Sequence, residues 1–188
     1  DRQYCVFVIG EGVEVTLDGL TLTGGVSKGP GIYNDCGSCT VNNSTLTGFS
    51  GYAIYNIGRY STTSPDEDAP GFLELINSTI STCSDAAIDN EFARCSITGS
   101  TFSDNSGGRG GAIFNDQGAC SITNSTFSGN SARAGGGVFN NNGNLTITGA
   151  VFDGNFAFAG GYPEGDGGAI WNWSGVCSIA NSTFSGNY

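Results

Sequence analysis

One phrase returns along this chain at a nearly fixed spacing. It reads Ser100-Thr101-Phe102-Ser103-Asp104-Asn105, then a glycine-rich stretch, then Gly110-Gly111-Ala112-Ile113-Phe114-Asn115, then Cys120-Ser121-Ile122. It returns from Ser125 and Gly135, and again from Gly167, Cys177 and Ser182. Two markers in the phrase can be followed separately. The apolar anchor falls at Leu22, Leu46, Ile80, Phe102, Phe127, Phe152 and Phe184. The asparagine that closes the second half falls at Asn34, Asn56, Asn90, Asn115, Asn140 and Asn172. Both series advance by 22 to 25 residues in regular repeats and by 34 and 32 where something is inserted. A repeat of this size means a solenoid, because one repeat cannot bury its own apolar face and stacking the repeats does so.

The period inside each repeat is two. Cys95-Ser96-Ile97-Thr98 and Thr101-Phe102-Ser103 place every second side chain on one face, which is strand patterning. Apolar runs at helical spacing are absent, and the 32 glycines fall between the short apolar segments, where they serve turns. The reading is an all-β solenoid of about seven coils with three short strands per coil, and a rod of about 35 Å at the usual interstrand spacing. Residues 1–188 form one domain, with insertions at about 59–71 and 160–167. Both ends enter and leave in mid-coil, so terminal caps are not expected. Uncapped rungs predict either a piece of a longer chain or subunits stacked head to tail into a filament.

Stacked coils pile like residues into columns. Asn34, Asn56, Asn90, Asn115, Asn140 and Asn172 are expected to form an inward ladder at a bend, each amide bonding the backbone and the next amide. The position before Ser-Thr reads Asn43, Asn77, Gly99, Asn124, Gly149 and Asn181. Only residues that tolerate the left-handed region occur there, so a tight bend is expected in every coil. Cys39, Cys95, Cys120 and Cys177 share one position, which Leu145 takes in another coil. That column therefore reads as apolar and inward. Cys95 with Cys120, and Cys36 with Cys39, are also close enough in this register for disulfides.

The formal net charge is −11, with six Lys and Arg and no His. A chain without a basic footprint is not expected to bind nucleic acid. No segment approaches the roughly 20 apolar residues of a membrane-spanning helix. Seven cysteines point to an oxidising, extracellular compartment.

The GGAI-type phrases, with Phe102 to Asn105, Phe127 to Asn130, Phe152 to Asn155 and Phe184 to Asn187 as FxxN phrases, resemble the repeats of chlamydial polymorphic membrane proteins. They also resemble related bacterial autotransporter and adhesin passenger domains. The resemblance runs from about Gly19 onward; Phe49 and Cys83 stand where the FxxN asparagine is expected. It implies a right-handed parallel β-helix at the cell surface or outside the cell, often adhesive or structural. The same scaffold carries enzymes and fibres, so fold alone does not settle activity.

Three functional readings follow. The leading one is a non-enzymatic adhesive or structural rod whose partner is a copy of itself, end to end or laterally, or a host-surface protein or glycan. Its working surface would be the outward residue between Ile and Asn in the GGAI phrase: Tyr33, Tyr55, Asp89, Phe114, Phe139 and Trp171. An aromatic stripe of that kind marks an interaction site. The second is a polysaccharide lyase or glycoside hydrolase, for which Asp89, Glu91 and Arg94 are the best catalytic cluster the chain offers. The third is ice binding by outward Thr-x-Thr and Thr-x-Ser pairs, a ladder interrupted at Val151 and Asp153. No cofactor is expected; calcium at Asp66, Glu67 and Asp68 is the weak exception, without EF-hand spacing. Asn43, Asn77, Asn124 and Asn181 lie in Asn-Ser-Thr triplets and are glycosylation candidates at exposed bends.

Overall fold

The computed structural model describes residues 4–59, 71–158 and 167–188. Those residues contain 24 strands and no helix. Three seven-stranded parallel sheets run the length of the rod. The first holds Phe7–Ile9, Ile32–Asp35, Ile54–Ile57, Ile88–Glu91, Ile113–Asp116, Val138–Asn141 and Ile170–Asn172. The second holds Glu14–Asp18, Ser38–Asn42, Phe72–Ile76, Arg94–Thr98, Ala119–Thr123, Gly143–Thr148 and Gly175–Ala180. The third runs from Thr21–Thr23 to Thr183–Ser185. A fourth sheet joins Ser106–Gly107, Ser131–Ala132 and Phe156–Ala157, a short wall that the three-strand expectation did not include.

The register matches the sequence period. Phe102 pairs with Ile80 and Phe127, and Phe127 with Phe152. The four phenylalanine rings at 102, 127, 152 and 184 stack nearly parallel, with centroids 4.8, 4.6 and 5.0 Å apart. The strand spacing therefore sets the ring spacing, and each fully buried ring contributes about 2–3 kcal/mol of apolar transfer. Opposite this stack run the isoleucine column of the first sheet and the Cys39–Leu73–Cys95–Cys120–Leu145–Cys177 column of the second. Together they form one continuous core.

Corners are harder to build than sheets, because a bent backbone turns N–H groups inward where no strand can accept them. Side-chain ladders meet that demand. At the first corner Asn34 donates from Nδ2 to Asn56 Oδ1 at 2.7 Å, and the relay continues through Asn90, Asn115 and Asn140 to Asn172 at 2.6–2.7 Å. At Asn34, Asn90, Asn115 and Asn140 the same amide also reaches the carbonyl three residues on, as from Asn115 to Gly118 O at 3.0 Å. The expected ladder is thus present.

Two further ladders were not anticipated. Asn105, Asn130, Asn155 and Asn187, the FxxN asparagines, form a second buried relay; Asn130 Oδ1 accepts both the Asn105 backbone N–H at 3.1 Å and its Nδ2 at 3.0 Å. In earlier coils buried Phe49 and Cys83 replace the amide. At the remaining corner Ser44, Ser78, Ser100 and Ser125 each take a backbone N–H from the coil before, at 3.0–3.1 Å. Each of these hydroxyls donates to a carbonyl two residues back.

The left-handed bend expected before Ser-Thr occurs in every coil, with φ between 47° and 66° at Asn43, Asn77, Gly99, Asn124, Gly149 and Asn181. Gly149 is further constrained, since a Cβ there would lie 2.4 Å from Asn124 Oδ1. Replacing Asn115 with Ala removes three buried hydrogen bonds and should cost about 2–4 kcal/mol in urea unfolding. Asn124→Gly keeps the bend and should stay within about 0.5 kcal/mol of the parent. Equal stabilities would show that the ladder does not hold the corner.

Candidate functional site

Outward side chains of the first sheet form one column in register. Val8 leads to Tyr33, Tyr55, Asp89, Phe114, Phe139 and Trp171. Tyr33 meets Tyr55 edge to face at 5.3 Å, and Tyr52 from the preceding turn stacks on Tyr55 at 5.8 Å. Phe114 stacks on Phe139 at 5.4 Å, Phe139 meets Trp171 at 4.8 Å, and Trp173 meets Trp171 edge to face. The stripe exists, but its members are less exposed than strand alternation predicts. Tyr33, Tyr55, Phe114 and Trp171 are half-buried, and Phe139 is only 4% exposed. Rings stacked at strand spacing cover one another, and the Arg109 guanidinium lies 5.9 Å from the centroids of both Phe114 and Phe139. Trp173, at 51% exposure, extends the aromatic surface beyond the column; lying outside the GGAI position, it was not singled out from sequence.

Asp89 interrupts the rings. It is 7% exposed, and its Oδ1 has no hydrogen-bond partner. The Tyr52 hydroxyl interacts with the carboxyl, and Tyr55 donates a hydrogen bond to Glu91 Oε2. Burial raises the Asp89 carboxyl from the ordinary 3.8 to about 7; the Tyr52 hydrogen bond opposes the rise, and Glu91, Asp116 and Asp85 add to it. Burial likewise pushes the Tyr55 hydroxyl up, helped by Glu91.

The proposed catalytic trio is only partly assembled. Asp89 and Glu91 share the outward face of the first sheet, on either side of inward Asn90. Arg94 opens the next strand, on the outer face of the second sheet, and is exposed. The turn at Phe92, with φ of 50°, separates them. Asp66, Glu67 and Asp68 lie outside the described residues, as does the insertion at about 160–167 apart from Gly167. No cluster of acidic, cysteine or histidine side chains among the described residues could hold a metal ion.

The seven cysteines are free thiols, so neither disulfide suggested by the spacing is formed in this structure. Cys95 and Cys120 are paired rung to rung, and the neighbouring Cys120 thiol, together with burial, pushes the Cys95 thiol well up. Cys39 faces the core, where burial raises it to about 12. Cys36 sits at the left-handed corner and donates to Asp35 Oδ1 at 3.7 Å, away from Cys39. The glycosylation candidates Asn43, Asn77, Asn124 and Asn181 are all exposed at their bends. The Thr and Ser pairs of the third sheet stand in outward columns. Their hydroxyls partly bond one another, as between Thr47 and Ser81 at 3.0 Å, and Val151 and Asp153 break the columns as expected.

These residues define a parallel β-solenoid with polar ladders at its corners and a column of rings along one outer face. The chain matches the right-handed β-helix region family over residues 4–187 and belongs to that family. No curated protein and no solved structure matches it.

The raised Asp89 carboxyl has a thermodynamic consequence. Between the unfolded value of 3.8 and the folded value of about 7, the folded chain keeps a proton that the unfolded chain has lost. Stability should therefore fall as pH rises through that window, by an amount on the order of 2–4 kcal/mol from this group. Asp89→Asn should remove that slope, so the variant gains on the parent between acid and neutral pH. Parallel urea-unfolding curves at each pH would contradict the burial of this carboxyl.

Proposed function

We propose that this chain is a non-enzymatic adhesive or structural rod of the cell exterior, and that its ligand surface is the ring column of the first sheet. The observation that carries this reading is the column of aromatic side chains at Tyr33, Tyr55, Phe114, Phe139 and Trp171, with exposed Trp173 beside it, borne by the in-register sheet. Rings fixed in this way lose little conformational entropy on binding, and they stack on sugar faces or anchor a protein partner. Resemblance of the GGAI and FxxN phrases to chlamydial and autotransporter surface repeats supports an extracellular place and an adhesive role. The separation of Arg94 from Asp89 and Glu91 favours binding over catalysis.

A glycan array and a surface-protein binding screen with the intact chain test this directly. Trp173→Ala combined with Tyr33→Ala should lower retention about tenfold or more while leaving the unfolding midpoint nearly unchanged. Phe139 is too buried to serve as a surface probe. Binding that ignores both substitutions would place the ligand elsewhere.

A carbohydrate-active β-helix is the second reading. It draws on Asp89, whose proton affinity near neutrality and neighbouring Glu91 suit a general acid beside a carboxylate. A panel of polysaccharides assayed for cleavage decides it; turnover abolished by Asp89→Ala would replace the adhesive reading.

A further inference from the structure

We propose that the break in the ring column at Asp89 is a binding site for a primary ammonium group, held by the Asp89 carboxylate between Tyr55 and Phe114. The proposal deepens the adhesive reading, since it names the chemistry that one stretch of the ligand surface would select.

Asp89 is the one non-aromatic residue between Tyr33 and Trp171 in the column, and it stands in register with Tyr55 on one side and Phe114 on the other. Its Oδ1 is buried and without a partner. An unpaired carboxylate oxygen in that position is costly, and a charged donor would relieve it. The groups around it supply no such donor. Asp85 from the turn before, Glu91 on the same strand and Asp116 on the next all add negative charge, while the Tyr52 and Tyr55 hydroxyls are neutral donors already engaged with Asp89 and Glu91.

The same column already takes a cation over the next two rungs. Arg109 lies over both Phe114 and Phe139 at 5.9 Å. It is carried by a turn in which Ile113 follows Asn105 by eight residues, whereas Ile88 follows the equivalent Cys83 by only five. The shorter turn carries Asp85 and no arginine. The short turn thus supplies no cation at the Asp89 rung, which leaves that role to another molecule. Carboxylate and aromatic faces together are the chemistry that recognises an ammonium ion. Tyr52, half-buried in the short turn between Phe49 and Ile54, interacts with this carboxyl, and entry of the ligand requires its side chain to move aside.

Ionised Asp89 is the binding form, so uptake of the ammonium group releases the carboxyl proton wherever that group is still protonated. Because the free site titrates at about 7, affinity should rise with pH up to that value and level off above it. Glu91, Asp116 and Asp85 favour the cation throughout.

The test is titration of the intact chain with methylammonium chloride against sodium chloride at equal ionic strength, followed by carboxyl and aromatic NMR. Saturable shifts at Asp89, Tyr52 and Phe114 are expected, weakened about tenfold or more in Asp89→Asn. Affinity should also drop as pH falls from 8 to 6, a range chosen to bracket the titration. A lysine-containing peptide and a glucosamine oligomer then separate a protein source of the ammonium group from a sugar source. Phe114→Leu, which keeps the core side of the strand intact, should weaken methylammonium binding and leave the sodium control unchanged. Absence of saturable shifts, or shifts unchanged in Asp89→Asn, overturns the proposal. Neutral glycan binding lost with Trp173→Ala, together with no saturable methylammonium shifts, would uphold the adhesive surface while the ammonium site fails.

Discussion

Every part of this molecule depends on coil lying on coil with no slip in register. Parallel strands one rung apart put like residues above like, and the alternation of the pleat then sends whole columns either inward or outward. A shift of one residue would turn the phenylalanine stack out to solvent and bring the Thr and Ser columns inside. Hydrophobic burial alone does not prevent that at the corners, where the strands end. The two asparagine relays and the serine ladder do, because an amide or hydroxyl one residue out of place leaves several buried polar groups unpaired at once. Phe49 and Cys83 show the tolerance of the system: a corner position can be apolar and buried where the asparagine relay does not reach.

The binding surface follows from the same stacking. Residues between the inward Ile and Asn of the first sheet cannot avoid forming a column, so an aromatic preference at one repeat position becomes a band of rings, broken at Asp89. Continuity also has a cost, since each ring shelters the next and Phe139 ends almost fully covered. The single departure from aromatic character, at Asp89, is buried by the same neighbours and held by Tyr52, which turns an ordinary outward carboxylate into a desolvated one.

Much of the fold was legible because the period carried it. Phe127 against Phe102 and Phe152, the Asn34 to Asn172 relay, and the left-handed bends from Asn43 to Asn181 all follow from counting residues. The Asn105 relay was visible as a motif yet not as a ladder, since FxxN gives a spacing and not the direction of an amide. Ser44, Ser78, Ser100 and Ser125 carried no signal that separates them from ordinary strand serines; only the N–H groups left over at a bend give them a task. Asp89, Glu91 and Arg94 looked adjacent in sequence, and the corner at Phe92 sends Arg94 onto a different face. Cys36 and Cys39 are parted by the same kind of turn.

From the sequence alone come the repeat, the strand character, the columns and the residues that line each face, because these depend only on spacing and on the two-residue period of a strand. The depth at which a column lies depends on something else. Whether a ring is exposed, whether a carboxyl keeps its charge and whether two cysteines point at one another are set by what the turns fold over them. Turn length varies from coil to coil, as between Cys83–Ile88 and Asn105–Ile113, so those properties emerge only once neighbouring coils meet in three dimensions.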